Sequence, residues 1–162
     1  MTAEVHWRRF EKVNIVLGGD HAGYWLKVKV AEKLKEWGHD VEDVGTHSED
    51  PVDFPDIAET LCALVREGKA ERGIMVCGTG IGAVIAANKI PGIRAALCHD
   101  VYSARQSVEH DDANVMCLGA WIVGERLAYD LLNAYLSAEH SLDEAFRRRV
   151  AKLAELEKKY RP

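Results

Sequence analysis

Apolar and polar residues fall into two alternating kinds of block along this chain. Short apolar runs, VNIVLGG (13–19), HDVEDVG (39–45), RGIMVC (72–77), GIRAALCH (92–99) and NVMCLGA (114–120), have the length and character of strands. Between them lie segments with helical spacing: Tyr24 to Trp37, Pro55 to Glu67, GIGAVIAANK (80–89) and Tyr102 to His110, with two more helices after the last strand. In the first helix Leu26, Val30, Leu34 and Trp37 share one face while Lys27, Lys29, Lys33 and Lys35 lie off it, so that face is buried. Gly38 and Gly68 stand where their helices should stop, and Gly124 precedes the helical set Leu127, Leu131, Leu132 and Tyr135.

Strands that alternate with helices predict a parallel sheet covered on both faces and joined by right-handed crossovers. The expected architecture is a single-domain, Rossmann-like three-layer α/β sandwich with a five-stranded parallel sheet. A strand order of 2-1-3-4-5 would set the ends of the first and third strands side by side, where open α/β sheets gather their ligands. The last helix begins SLDE, with Ser141 and Glu144 in capping-box spacing, and carries Phe146, Val150, Leu153, Leu156 and Tyr160 on one side. So long an apolar face at the end of a small domain is expected to pack partly on a second subunit.

Composition narrows the function. The 162 residues suit one domain, and 48% hydrophobic with 29% charged residues is ordinary for a globular protein. No apolar run approaches a membrane span, and the first residues, MTAEVHWRRFEK, lack the apolar core of a secretory signal, so the expected location is cytoplasmic. A net charge of -5 argues against nucleic acid as a partner. Four dispersed cysteines without a CxxC pair fit neither zinc nor a disulfide framework. Cys62, Cys98 and Cys117 belong to apolar runs and are expected reduced in the core.

Cys77 differs because it opens a glycine turn, CGTGIG, and two readings of that turn compete. Gly78 to Gly82 loosely match a dinucleotide fingerprint, with Asp100 ending the next strand as the ribose ligand. Yet the turn follows the third strand, whereas that fingerprint normally follows the first. In the other reading the turn amides form an anion site for a phosphate or an enediolate oxygen, and the helix end lowers the Cys77 pKa to give a nucleophile or base. Asp20 and His21, in GGDHAG after the first strand, would face the same crevice, although a helix cap explains Asp20 equally well. His110, in SVEHDDANV, is the candidate acid/base imidazole. The neighbouring Glu109, Asp111 and Asp112 are too close in sequence to share one metal ion, and no GxSxG elbow supports serine hydrolysis.

These motifs resemble the ribose/galactose phosphate isomerase family, in particular type B ribose-5-phosphate isomerases. The resemblance runs from Val13 to Tyr160 through GGDHAGYWLK, DVGTH, DFPD, VCGTGIG, IAANKIPGIRAALCHD and YSARQSVEHDDANVMCLGAWIVG. It divides the chain into an N-terminal extension, residues 1–12, and an isomerase domain, residues 13–162. It implies aldose–ketose interconversion through an enediolate, without metal or other cofactor. Cys77 would move the proton between C2 and C1, and Thr79 with the amides of Gly78, Gly80, Ile81 and Gly82 would stabilise the enediolate. His110 would open the ring and Asp20 would shift the proton between the sugar oxygens. It also implies a homodimer, or a tetramer built from it, with sites shared between subunits.

Departures from the family pattern fall on substrate recognition. Asp111 replaces an asparagine, Phe54 a tyrosine, Trp121 an arginine and Ala145 another arginine. His21 and Arg149 then remain for the phosphate, with Arg147 or Arg148 as substitutes. Arginine holds phosphate strongly and often with two hydrogen bonds. Its loss twice over implies a preferred sugar other than ribose 5-phosphate, of another length or unphosphorylated, with Trp121 either stacking on the sugar or serving equally well as an aromatic at a subunit contact. The competing classes are an NAD(P)- or nucleotide-dependent oxidoreductase and a non-catalytic sugar-binding module.

Overall fold

The computed structural model describes residues 12–160, so the expected extension lies outside the described part except for Lys12. Five parallel strands form one sheet: β1 (Asn14–Gly19), β2 (Asp40–Asp43), β3 (Arg72–Cys77), β4 (Ala95–Leu97) and β5 (Val115–Gly119). Six α-helices accompany them: α1 (Tyr24–Glu36), α2 (Phe54–Arg66), α3 (Ile81–Ala87), α4 (Val101–Asp111), α5 (Glu125–Leu136) and α6 (Glu144–Tyr160). None of these helices is long and apolar enough to cross a membrane.

Two separate apolar clusters show that both sheet faces are covered. On one face Ile15, Leu17, Ile74, Val76, Met116 and Leu118 join residues of α1, α4 and α5. On the other, Val16, Met75, Cys77, Val115 and Cys117 join residues of α2 and α3. The odd and even positions of each strand separate accordingly, as a pleated strand buried on both sides requires. Side chains such as Leu34 and Leu61 lose all solvent contact, which contributes about 1.5–3 kcal/mol each before the entropy of ordering them.

The strand order is β2-β1-β3-β5-β4, so the expected order of the last two strands is corrected. Burial explains the exchange. All five residues of β5 are buried, whereas the three of β4 are only half-buried and suit an edge. The neighbouring pair that matters for the site, β1 and β3, is as expected. The Asn88 side chain lies along β4, accepting from the Ala95 N–H at 2.9 Å and donating to its carbonyl at 2.8 Å.

Three local expectations also change. Lys27 is not at the surface: it is 1% exposed beneath the sheet's end, and it reaches Asp43 with both carboxylate oxygens at 2.5–2.6 Å. The cap of α6 is Asp143, whose carboxylate accepts from the Ala145 N–H at 2.7 Å, while Ser141 instead accepts from the Asp143 N–H. Asp100 caps α4 through the Ser103 N–H at 2.8 Å. Gly38 and Gly68 do end their helices, with φ of 91° and 70°, values a side chain would oppose. α6 buries none of its residues, and Leu153, Leu156 and Tyr160 on it are 45%, 52% and 71% exposed.

Candidate active site

The carboxyl ends of β1 and β3 meet because the register pairs Gly19 with Val76. The next residue on each strand carries the chemistry. Cys77 Sγ donates to Asp20 Oδ2 at 3.0 Å, in a contact shielded from water. The other carboxylate oxygen of Asp20 accepts from the Gly23 N–H at 2.9 Å. Asp20 is therefore both the cap of the 3-10 turn His21–Gly23 and the partner of the thiol, and the two sequence readings of it coexist. A backbone bond from the Asp20 N–H to the Val76 carbonyl, 3.2 Å, ties the two strand ends together.

The resting cysteine is a thiol, which corrects the expectation of a lowered pKa. Burial pushes the group up, and the hydrogen bond and negative charge of Asp20 push it further, against a smaller opposing pull from the Gly80 and Gly78 amides. The helix that follows has only seven residues, so little macrodipole is available to compensate. Cys62 and Cys98 are buried more conventionally, raised to about 12 and about 11 by burial, and all four cysteines are free.

Packing as much as chemistry dictates the glycine turn. Gly80 sits at φ 76°, and a Cβ there would lie 2.6 Å from Leu97 and 3.0 Å from the backbone of Leu118. A Cβ on Gly78 would strike the Trp121 indole at 2.9 Å, and one on Gly82 would strike the Phe54 ring at 2.8 Å. Two aromatic rings thus occupy the glycine faces that a pyrophosphate would approach, and Asp100, the supposed ribose ligand, caps a helix. Both facts tell against the dinucleotide reading. The turn is held from the β5 side by the Ala120 and Trp121 N–H groups, which donate to the carbonyls of Cys77 and Gly78 at 2.8 and 2.9 Å. Thr79 Oγ1 accepts from the Ile81 N–H at 3.3 Å, so that amide is already engaged while the hydroxyl proton can still be donated.

His21 follows Asp20 at the exposed rim. Its Nδ1 accepts from the Val52 N–H at 3.3 Å, which fixes the ring and leaves the proton of the neutral form on Nε2. Trp121 is 73% exposed at the other side of the turn. His99, which sequence reasoning missed, lies two residues past the carboxyl end of β4 and accepts from the Gly119 N–H at 3.1 Å through Nε2. Its position at the end of the apolar run GIRAALCH was the available signal. Among the described residues no group of three or more His, Cys, Asp or Glu side chains could hold a metal ion.

His110, Asp111 and Arg149 do not join this cluster within one chain. α4 leads from the carboxyl end of β4 back toward the start of β5, so its last turn lies at the opposite edge of the sheet. There the His110 ring stacks on Phe146 of α6, centroids 3.8 Å apart, and its Nδ1 is 3.0 Å from Gln106 Nε2. The Arg149 guanidinium lies over the same Phe146 ring at 5.5 Å. Asp111 lines a cleft of about 410 Å³ between α6 and β4, together with Arg94, Ser107, Leu153 and Glu157. The Asp20–Cys77 group and the His110–Arg149 group therefore stand on opposite edges.

A doubly covered parallel sheet with a cysteine–carboxylate pair at a glycine turn defines an enzyme site of the α/β class. Comparison with known proteins sharpens this. The pattern of the ribose/galactose isomerase family matches residues 15–153. The chain is 42% identical to ribose-5-phosphate isomerase B of Escherichia coli, over 78% of this chain and 85% of the relative, and 43% identical to D-erythrulose-4-phosphate isomerase of Pectobacterium atrosepticum, over 78% and 84%. The solved structure of Clostridium thermocellum ribose-5-phosphate isomerase B superposes with a TM-score of 0.88 at 48% identity, covering 90% of this chain and 98% of that one. The chain belongs to the ribose/galactose isomerase family and is a sugar isomerase of its ribose-5-phosphate isomerase B type.

Proposed function

We propose that this chain interconverts an aldose phosphate and its ketose through a cis-enediolate, with Cys77 as the base. The buried contact between Cys77 Sγ and Asp20 Oδ2 carries the reading. Asp20 takes the thiol proton, and the thiolate so formed removes the proton from C2. Asp20 then gives its proton to the carbonyl oxygen at C1, takes one from the hydroxyl at C2, Cys77 returns its proton to C1, and Asp20 finally passes its proton back to the Cys77 thiolate across their contact. Every proton is accounted for, and no metal or redox partner is required. The Gly78 and Gly80 amides, which face the sulfur, favour the thiolate, and the Thr79 hydroxyl proton is available to a developing oxyanion.

His110 opens the sugar ring, and Arg149 with Asp111 meets the far end of the substrate, all three supplied by a second copy of the chain. The stacked His110, the exposed Arg149 and the unburied apolar side of α6 support a homodimer with shared sites. Trp121 over Gly78 supplies a flat apolar wall beside the turn, which suits a sugar face better than a phosphate. The preferred substrate accordingly differs from ribose 5-phosphate at the end remote from C1 and C2. Four free cysteines fit a reducing, cytoplasmic setting.

A screen of tetroses, pentoses and hexoses, each phosphorylated and free, tests reaction and substrate together. Turnover of at least one sugar phosphate, abolished in Cys77→Ala, is expected. Turnover that survives in Cys77→Ala, or ordinary efficiency on ribose 5-phosphate above all other sugars, contradicts the mechanism or the substrate assignment respectively.

A further inference from the structure

Lys27 is the one lysine of α1 that loses its solvent contact, and nothing in the isomerisation uses it directly. Its stem passes beneath the end of β1: a Cβ on Gly19 would lie 3.4 Å from Lys27 Cδ. Its ammonium meets both oxygens of Asp43 at the end of β2. The same Asp43 Oδ1 accepts from the Gly45 N–H at 3.0 Å. Residues 45 and 46 in turn grip Gly19 from both sides, since the Gly19 N–H donates to the Gly45 carbonyl at 2.7 Å and the Thr46 N–H donates to the Gly19 carbonyl at 2.6 Å. The next residue is Asp20, whose carboxylate contacts the thiol.

An ion pair with a fully buried lysine and a half-buried carboxylate is an expensive way to hold a fold, because desolvating the ammonium offsets much of the attraction and apolar replacements of buried pairs are often no less stable. What an apolar pair could not supply is an acceptor aimed at the Gly45 N–H. We propose that Lys27 and Asp43 are positioning residues for the isomerisation: Lys27 fixes the Asp43 carboxylate, Asp43 fixes the Gly45–Thr46 segment, and that segment sets Asp20 against Cys77. The inference rests on the reading of Asp20 and Cys77 as the reacting pair.

Two double variants separate this role from general stability. Lys27→Met/Asp43→Leu removes both charges and the acceptor, whereas Lys27→Met/Asp43→Asn removes both charges and keeps a carbonyl oxygen for the Gly45 N–H. On the sugar phosphate turned over best, the leucine variant is expected to lose about tenfold or more in kcat with KM within about twofold, as loss of orientation at the reacting atoms predicts. The asparagine variant should stay within about threefold of the parent chain. Carbamidomethylation of Cys77 by iodoacetamide, followed by peptide mass spectrometry, should become several-fold faster only in the leucine variant, because the carboxylate that holds the thiol proton has moved. If the leucine variant does not fold, Lys27→Met alone provides the contrast, since it leaves Asp43 without its cation. Equal kcat and equal alkylation in the contrasted variants overturn the inference. Unchanged turnover in Cys77→Ala overturns instead the reading beneath it.

Discussion

The two edges of the sheet are built in opposite ways. At the carboxyl edge Asp20, Cys77, Gly78 and Gly80 are buried and tied by backbone hydrogen bonds on three sides, from β1, from residues 45–46 and from the end of β5. At the amino edge His110 stacks on Phe146 and meets Gln106, and Arg149 lies exposed on a helix that buries none of its own residues. The first draws its contacts from several segments of one chain, whereas the second leaves Arg149 and one side of α6 open to solvent. Under the function proposed above, the proton-transfer groups belong to the firmly held part of the molecule and the recognition groups to the part that a second copy would cover.

The comparison is broken most severely by removing its reactive side. Cys77→Ala should lower kcat/KM by about 10²–10⁴-fold, the range of a positioned base, with the thermal midpoint little changed because alanine fits where the thiol sat. His110→Ala should cost about tenfold to hundredfold in an assay that starts from the ring-closed sugar. Mixing the two impaired variants, with their separate residual activities subtracted, then tests where His110 acts. If sites are shared across a symmetric dimer, subunit exchange restores up to about a quarter of the parent activity, since half the dimers are mixed and half of their sites are intact. No recovery after verified exchange would mean that His110 serves its own chain or none.

A smaller effect concerns recognition. Trp121→Arg should raise kcat/KM for a phosphorylated sugar relative to its free counterpart by about tenfold, the worth of one charge-assisted hydrogen bond. An unchanged ratio would remove Trp121 from the substrate's far end. The smallest effect concerns pH. Since the reacting pair needs the proton that Asp20 takes from the thiol and passes on, and burial and Asp20 hold Cys77 above its ordinary 9.0, kcat/KM of the free enzyme should fall only when pH rises beyond that value. In Asp20→Asn the thiolate can form only by losing its proton to solvent, so the residual kcat/KM should instead rise with pH, along a limb that has lost the raising influence of Asp20. A variant profile that keeps the parent's falling limb would separate the thiol's titration from Asp20.

Most of the fold was legible because periodicity and strand length are local properties. The β2-β1-β3 half followed, and so did the meeting of GGDHAG with CGTGIG. The β4 and β5 exchange was not legible from strand number, although AAL and VMCLG differ in the apolar length that an interior position demands. Lys27 was misplaced for a different reason: its partner Asp43 lies sixteen residues away on another element, and a helical period counts a lysine as polar whatever it meets. The separation of His110 from Cys77 follows from topology alone once α4 is seen to run back along the sheet. Sequence motifs bring residues into one list, and only the path of the chain shows on which edge each one stands.

The Asn88 side chain along β4 bears on how copies of this chain can meet. By satisfying both hydrogen-bonding groups of Ala95, it takes up pairing positions that a foreign strand would otherwise use, and at the opposite margin β2 presents the exposed acidic residues Asp40 and Glu42. An unguarded strand margin invites open-ended sheet growth and aggregation. With one margin occupied by an amide and the other carrying exposed carboxylates, addition of a further strand is disfavoured at both.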